Sequence, residues 1–268
     1  MKATVRYFTG TGNTWRIAAA CAERFVASGY ETDLNPIGMK NGPDPEADAA
    51  CFCFPVHALD LPHNVLSYLR GIPASSRSVP AILLVTGGHP DNCGWALPSG
   101  KQLLSERGYV VRIADLVPMP DNWTPFHSGP DREKAAEIIG RGVEKAEDTV
   151  VRFLGGESWI KPVSLRRFGP LASILLRTLF HRRGVYKLGM FFETGTRCNG
   201  CGLCARICPT GSIRMEGGRP VWGSGCVQCM RCFNFCPNRA IRQLDFLLHG
   251  SRHNAYHLPG FNPLAEGD

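Results

Sequence analysis

Eight cysteines near the C-terminus of this 268-residue chain have a spacing that is typical of metal ligands. They form two runs of the pattern Cys-x-x-Cys-x-x-Cys-x-x-x-Cys-Pro, and each cysteine of the first run has a counterpart 28 positions later. The first run contains Cys198, Cys201, Cys204 and Cys208, and the second contains Cys226, Cys229, Cys232 and Cys236. Three thiolates spaced in this way can wrap a short loop around one iron–sulfur cubane, whose fourth ligand then comes from elsewhere. The duplication therefore predicts a repeated unit with two metal centres.

Structural zinc and disulfide bonds are the alternative uses of these cysteines. Four-cysteine zinc sites usually contain paired Cys-x-x-Cys knuckles, whereas each run here has three cysteines in succession and a final Cys-Pro. The N-terminal residues show no apolar segment of the kind that a signal peptide needs, so we expect a cytoplasmic protein whose thiols stay reduced. Iron–sulfur clusters are therefore the favoured interpretation.

Residues 190–245 resemble bacterial-type two-cluster ferredoxins, because both runs and the proline that ends each of them match that family. The resemblance implies two 4Fe–4S clusters in a small α+β domain. It also implies that the fourth cysteine of each run binds the cluster of the other run. One cluster would then be bound by Cys198, Cys201, Cys204 and Cys236. The other would be bound by Cys208, Cys226, Cys229 and Cys232.

A second candidate site is the segment Thr9-Gly10-Thr11-Gly12-Asn13-Thr14, which joins a predicted strand to a predicted helix. Its hydroxyls, glycines and free backbone N–H groups could enclose a phosphate with help from the helix N-terminus. The segment lacks the Gly-Lys-Ser/Thr ending of a P-loop, and Trp15 breaks the Gly-x-Gly-x-x-Gly dinucleotide pattern. The alternative is a threonine-rich turn with an Asn or Thr helix cap.

The elements that must position these residues alternate along the first 150 positions. Apolar, β-rich runs predict strands at Lys2–Phe8, Tyr30–Ile37, Ala49–Phe54, Val79–Thr86 and Tyr109–Val117. Helical spacing predicts helices at Asn13–Ser28, Pro62–Arg70, Trp95–Arg107 and Asp131–Leu154. This alternation predicts an open, mostly parallel α/β sheet of five strands, in which ligands bind beyond the carboxyl ends of the strands. The loops at those ends are Thr9–Thr14, Pro55–Leu61 and Thr86–Trp95.

The first 150 residues resemble flavodoxins in the Thr9–Thr14 loop, in its position after the first strand and in the alternation of five strands with helices. The resemblance implies a doubly wound parallel sheet of order 2-1-3-4-5 with FMN at its edge. It implies that the phosphate is held by Thr9, Thr11, Gly12, Asn13 and Thr14. It further implies that the loops Pro55–Leu59 and Thr86–Trp95 enclose the isoalloxazine ring. The candidate ring contacts are Pro55, Val56, His57, Ala58, Thr86, Gly87, Gly88 and Trp95.

Three side chains in the ring loops could take part in catalysis if the protein acted on a small substrate: His57, His89 and Cys93. Each also has an ordinary structural interpretation, the histidines as loop residues bonded to backbone and Cys93 as an inert buried thiol. Cys51 and Cys53 lie two apart on a strand, face the same side, and are expected to be small core residues. No residue is thus a firm catalytic candidate.

The formal net charge of +7 is local rather than general. Residues 151–192 carry eight basic residues and one acidic residue, so the net charge of this segment equals that of the whole chain. Because the excess charge is confined to one segment, a nucleic-acid-binding surface is disfavoured. The segment Trp159–Met190 contains most of these basic residues and has an apolar helical face over Pro170–His181. It fits a linker helix packed between domains, a helix on an anionic membrane surface, or a docking face for an acidic redox partner.

The whole chain resembles the fused flavodoxin–ferredoxin proteins of anaerobic microbes. We expect an FMN-binding domain at 1–155, a basic connector at 156–189, a two-cluster domain at 190–245 and a tail at 246–268. In the tail, His249, His253 and His257 fit surface or packing positions better than a metal site. The expected function is electron relay between FMN, the two clusters and a redox partner protein. The alternatives are an FMN-dependent reductase fed by the clusters and a redox subunit on the inner membrane face.

Overall fold

A parallel sheet of six strands forms the first part of the chain. The computed structural model describes residues 1–38, 42–91, 93–124, 129–163, 171–172, 174–175, 177–178, 191–243 and 255–267. The strands of the sheet are β1 (Lys2–Tyr7), β2 (Glu31–Pro36), β3 (Ala49–Pro55), β4 (Val79–Gly87), β5 (Tyr109–Pro118) and β6 (Trp159–Ile160). They lie in the order β2-β1-β3-β4-β5-β6, and all neighbouring strands run parallel. The first five strands have the predicted 2-1-3-4-5 order, so the flavodoxin-like fold is confirmed.

The sixth strand corrects the predicted count of five. β6 contains only two residues, both exposed, and it pairs with β5 at the edge of the sheet. A strand this short shows no alternation of buried and exposed residues, so its sequence carries no periodic signal. It lies within the segment that the sequence assigns to the connector.

Within the described ranges, four helices cover the two faces of the sheet: α1 (Asn13–Ala27), α2 (His63–Gly71), α3 (Ala96–Ser105) and α4 (Arg132–Leu154). The apolar residues of α1 and α4 share one core with the sheet, and those of α2 and α3 share the other. β3 and β4 are buried on both faces, which explains why their sequences are almost continuously apolar.

The cysteine-rich part forms a separate small domain. Its strands are β7 (Phe192–Thr194), β8 (Ile213–Glu216), β9 (Arg219–Trp222) and β10 (Ile241–Gln243), paired antiparallel as β7 with β10 and β8 with β9. Two one-turn helices, α5 (Leu203–Arg206) and α6 (Arg231–Asn234), occupy equivalent places in the two cysteine runs. The repeat seen in the sequence is therefore also a repeat of structure.

Parts of the connector and the tail are also described. Residues 171–172, 174–175 and 177–178 are helical, as the apolar pattern over 170–181 predicts, and the rest of 164–190 lies outside the described residues. His249 and His253 also lie outside them, whereas His257 stacks on Phe235 with ring centroids 4.3 Å apart. Among the described residues, no helix is long and apolar enough to cross a lipid bilayer.

Candidate functional site

The first cysteine cavity is lined by Cys198, Cys201, Cys204 and Cys236 and has a volume of about 360 Å³. The second is lined by Cys208, Cys226, Cys229 and Cys232 and has a volume of about 330 Å³. Each cavity thus combines three cysteines of one run with the fourth cysteine of the other. The ligand sets implied by the ferredoxin resemblance are the sets that the fold brings together.

Backbone donors near the cavities suit thiolate ligands. The N–H of Ser212 donates to Sγ of Cys208 over 3.3 Å, and the N–H of Ala240 donates to Sγ of Cys236 over the same distance. Burial raises the pKa of Cys229 to about 12, so an isolated thiol there would remain protonated at neutral pH. Iron would displace that proton and supply the positive charge that a buried thiolate needs. The donor set therefore fits an iron–sulfur cluster.

The backbone around the cavities repeats unusual conformations. Left-handed values of φ occur at Gly200 and Gly202 in the first run, at 73° and 70°. The equivalent residues of the second run are Gln228 and Met230, with φ of 56° and 60°. Non-glycine residues are costly in this region and persist only where the surrounding structure requires them. The curvature that wraps each loop around its cavity is thus kept even where glycine is absent.

The Thr9–Thr14 loop lies at the carboxyl end of β1 and is buried throughout. Gly12 precedes α1 with a φ of 99°, and no side chain caps this helix. The N–H of Gly12 donates to Oγ1 of Thr9 over 3.0 Å. Within the described part of the chain, no acceptor satisfies the N–H groups of Asn13 and Thr14. A buried helix end with unpaired N–H groups fits a phosphate, which would act as the missing cap.

The side chains of this loop already have partners. The amide of Asn13 donates to the Pro120 carbonyl over 2.7 Å and accepts from the Tyr256 hydroxyl over 2.9 Å. The hydroxyl of Thr14 lies 2.7 Å from that of Thr86. These bonds fix the shape of the loop and join the first loop to the third. They leave backbone N–H groups, rather than the Asn13 amide, as the donors for a phosphate.

The second loop turns sharply. Ala58 and Leu59 have φ of 48° and 68°, and His57 and Asp60 exchange two backbone hydrogen bonds of 2.8 and 3.0 Å across them. The Leu59 carbonyl accepts from the N–H of Trp95 over 2.7 Å, which fixes the second loop against the third. The three loops predicted to surround FMN therefore meet at one edge of the sheet.

The candidate catalytic side chains have structural partners. Nδ1 of His57 donates to the Val227 carbonyl over 2.9 Å, and Nδ1 of His89 accepts from the N–H of Asp91 over 3.2 Å. Cys93 is buried, and this burial raises its pKa. Trp95 is half-buried, and the guanidinium carbon of Arg177 lies 5.0 Å from its ring centroid. An arginine of the connector thus lies over the tryptophan that was predicted to contact the flavin.

Arg177 also fixes the connector to the second loop. Its Nε donates to Oδ2 of Asp60 over 2.9 Å, and this carboxylate also accepts from the hydroxyl of Ser99 over 3.1 Å. The Asp60 side chain is only 3% exposed. At this residue the connector packs against the sheet domain.

Arg231 joins the second cysteine cavity to the Thr9–Thr14 loop. It lies between Cys229 and Cys232 and is 4% exposed. Its guanidinium donates to the carbonyls of Thr9 and Gly10 over 2.7 and 3.0 Å. The backbones also meet directly, because a Cβ atom at Gly10 would lie 2.0 Å from the Cys229 carbonyl oxygen. Only glycine permits this approach of the two domains.

The tail covers the same junction. Glu266 forms a buried ion pair with Arg231, and burial raises the pKa of Glu266 although the arginine acts in the opposite direction. The N–H of Leu258 donates to the Thr11 carbonyl over 2.8 Å. Phe261 packs on Gly12 and lies 5.6 Å from Trp15 between ring centroids. The tail therefore excludes water from the outer side of the loop.

Sequence reasoning did not single out Arg231, Glu266 or Tyr256. For Arg231 the repeat contains a signal, because the equivalent position of the first run is Leu203. A charged residue that replaces an apolar one inside a metal-binding loop needs a partner, and here the partners belong to the other domain. Glu266 and Tyr256 lie in a segment without periodicity, so only the folded chain reveals their contacts.

A third thiol joins Cys51 and Cys53 in the core. Sγ of Cys51 lies 3.7 Å from that of Cys53, and Sγ of Cys21 lies within 4.8 Å of both. All three are fully buried among apolar residues of α1, α4 and the sheet. An ion with three thiolates would leave uncompensated charge in this apolar environment. The cysteines serve here as small core side chains.

Comparisons with known proteins find similarities to each of the two parts of the chain. Residues 197–241 match the family model of the 4Fe–4S dicluster domain. Oxidised flavodoxin 2 from Bacillus cereus is 20% identical, with 58% of this chain and 99% of that chain covered and a TM-score of 0.42. Oxidised flavodoxin 1 from the same organism is 18% identical, with 59% and 100% covered and a TM-score of 0.40. No curated protein matches the chain by sequence.

The strand order of the sheet and the family match of the small domain come from independent observations. The order β2-β1-β3-β4-β5 is that of the flavodoxin-like fold. The dicluster match covers all eight cysteines of the repeat. The chain therefore combines a parallel sheet with the strand order of the flavodoxin-like fold and, C-terminal to it, a segment that matches the 4Fe–4S dicluster domain.

Proposed function

We propose that this protein binds FMN and two 4Fe–4S clusters and relays electrons between them and a separate redox partner. The observation that carries the proposal is the direct contact between the second cysteine cavity and the Thr9–Thr14 loop. Arg231 and Cys229 supply that contact from the cluster side, and Thr9 and Gly10 supply it from the sheet side. Residues suited to two kinds of redox group are thus adjacent in one chain.

The clusters would be held by the two sets of cysteines that share a cavity. Cys198, Cys201, Cys204 and Cys236 form the first set, and Cys208, Cys226, Cys229 and Cys232 form the second. The N–H groups of Ser212 and Ala240 would stabilise one thiolate in each set. Such hydrogen bonds to sulfur are among the factors that tune cluster potentials.

FMN would be held by the N–H groups at the start of α1, with its ring toward the second and third loops. When bound, FMN can exchange one or two electrons and each cluster can exchange one, which together link one-electron and two-electron chemistry. The protein's own part is to position these groups and to exclude water. The tail, through Leu258 and Phe261, excludes water from the phosphate loop, and His57 holds the second loop against the cluster domain.

Anaerobic purification, with iron, sulfide and flavin measured on the same sample, tests the proposal. We expect about eight irons and one FMN per chain. Zinc in place of iron, or a protein that takes up no flavin, would contradict it. Turnover of a small substrate without any partner protein would support the reductase alternative instead.

Two variants separate the sites. Cys201→Ser should damage one cluster and leave the other largely assembled, as judged by iron content and electron paramagnetic resonance.

Thr14→Ala should weaken FMN binding with both clusters intact, because it removes the bond to Thr86 that shapes the loop. Thr149→Ala is the matched control, since Thr149 is equally buried but bonds within α4. Equal flavin affinity in both threonine variants would contradict the assignment of the phosphate loop.

A further inference from the structure

We propose that the face of the small domain around the first cysteine cavity docks an acidic electron-carrier protein. The inference rests on the proposed function, because a carrier has a reason to dock there only if the cavity holds a redox group. The proposed function specifies neither the surface that the partner contacts nor the charge of the partner.

The two cavities differ in where they face. The second borders the sheet domain through Val227, Cys229 and Arg231. The lining of the first comes entirely from residues 194–241 of the small domain, and Cys201 in that lining is exposed. The first cavity therefore lies at the outer surface, where a second protein can approach it.

Four exposed arginines lie in or beside the loop that enters this cavity. The loop spans residues 194–199 and contributes Thr194, Cys198 and Asn199 to the lining. Arg197 belongs to this loop, and Arg219, Arg239 and Arg242 lie beside it; we call these four exposed residues the arginine collar.

Contacts within the loop show that the collar is continuous. Arg197 donates to the Arg239 carbonyl over 2.9 Å. Arg219 donates to Oγ1 of Thr194 over 3.3 Å and to the Gly195 carbonyl over 3.4 Å. A Cβ atom at Gly195 would lie 3.3 Å from Nε of Arg242. The guanidinium groups of Arg219 and Arg242 therefore lie against one short loop, and that of Arg197, which belongs to the loop, reaches the backbone of Arg239.

Acidic residues are too few to neutralise the collar. Residues 191–243 contain seven arginines, no lysine and only two acidic residues, Glu193 and Glu216. Glu216 is paired with Arg214, and Glu193 is opposite Arg242 in the β7–β10 register. Cluster thiolates add negative charge inside the cavity. The collar lies outside it, with its guanidinium groups at the surface.

The chemistry of the collar favours a protein over a membrane. Peripheral membrane binding combines basic side chains with apolar ones that enter the bilayer. Within the described residues 191–243, no large apolar side chain is exposed. Arginine pairs with carboxylates in a two-pronged geometry, which suits a surface rich in Asp and Glu. A complementary charge would also speed the encounter of the two proteins.

Binding to two small carriers of opposite charge tests the inference. The cluster-loaded chain is passed over immobilised rubredoxin, which is acidic, and over immobilised cytochrome c, which is basic. The collar variant is Arg197→Gln/Arg242→Gln. The matched control is Arg24→Gln/Arg132→Gln, which removes two exposed arginines from the helices of the sheet domain. Iron content and visible absorption show that both variants keep their clusters.

We expect the wild-type chain to bind rubredoxin more tightly than cytochrome c, and the binding to weaken as salt is added. The collar variant should bind rubredoxin about tenfold more weakly at low salt, whereas the control should match wild type. Equal losses in both variants, or no loss, would overturn the inference. A different result would assign the collar to a membrane. In that case wild type and the control sediment with phosphatidylserine vesicles, the collar variant does not, and none of the three binds rubredoxin.

Electron transfer from the reduced chain separates this inference from the proposed function. If reduced wild-type protein passes electrons to neither carrier, the proposed function fails. If it reduces both carriers, and the collar variant binds and reduces them as wild type does, the relay stands and the docking surface is wrong.

Discussion

At the scale of single residues, one arginine decides how the two domains meet. Arg231 and Leu203 occupy the same position of the two cysteine runs, yet only Arg231 contacts the sheet domain. Its charge is buried, and it is balanced by Glu266 and by the carbonyls of Thr9 and Gly10. Removing one partner of a buried pair is costly because the other charge is left without compensation.

We therefore predict that Arg231→Leu, which copies the first run, lowers stability by about 3 kcal/mol. For a protein of this size that corresponds to a fall of roughly 6–12 °C in the unfolding midpoint. The midpoint is followed anaerobically by circular dichroism. Adding Glu266→Gln should restore part of the loss, because it removes the unpaired carboxylate. Arg206→Leu, at an exposed position of the first run, is the control and should change the midpoint little.

At the scale of elements, the tail and the phosphate loop form one packed unit. Phe261 is 7% exposed and contacts Gly12, Trp15 and the ring of Phe235. Tyr256 bonds both to Asn13 and to Asn234, so this segment connects the start of α1 to α6. The part of the tail from Tyr256 to Phe261, which has no helix or strand, therefore covers the loop between β1 and α1.

Truncating Phe261 tests this role. Phe261→Ala should cost about 3 kcal/mol, since it leaves a cavity between the tail and the loop. We also expect faster hydrogen exchange at residues 9–14, measured by mass spectrometry, because the loop loses its cover. Leu264→Ala removes an exposed apolar side chain of the same segment and should leave both quantities unchanged. Equal exchange in the two variants would show that the tail does not protect the loop.

At the scale of the whole molecule, the two domains differ in how they are stabilised. The sheet domain has two large apolar cores, one on each face. The small domain has six buried side chains in its core: Phe192, Ile213, Met230, Cys232, Phe233 and Ile241. A unit this small rarely folds on its apolar core alone and usually needs disulfides or metals.

Removing the metal should accordingly unfold one domain and spare the other. We predict that anaerobic iron chelation removes amide protection from residues 191–243, because the energy of metal binding is also folding energy. Residues of β1, β3 and β4 should keep their protection, since their cores contain no cluster ligand apart from the edge contact of Cys229. Hydrogen exchange of loaded and chelated protein measures this. Loss of protection in the central strands would contradict separate stabilisation.

Much of this protein could be predicted from local patterns in its sequence. The apolar runs of β3 and β4 predict buried parallel strands, and the periodicity of Asn13–Ala27 predicts α1 within one residue of its end. The spacing of the cysteines predicts a duplicated cluster domain because three ligands on one short loop have to converge. β6 was missed, since two exposed residues carry no pattern.

The tertiary structure alone decided which parts meet. The repeat makes the two cysteine runs almost equivalent, yet the fold places the second against Thr9 and Gly10 and leaves the first at the surface. Likewise, the net charge predicted a basic connector, but Arg177 of that connector is engaged by Asp60, and the arginine collar lies on the small domain. Local spacing specifies ligands and elements because neighbours along the chain determine them. Contacts such as Arg231 with Glu266 depend on how domains pack, which no short stretch of sequence encodes.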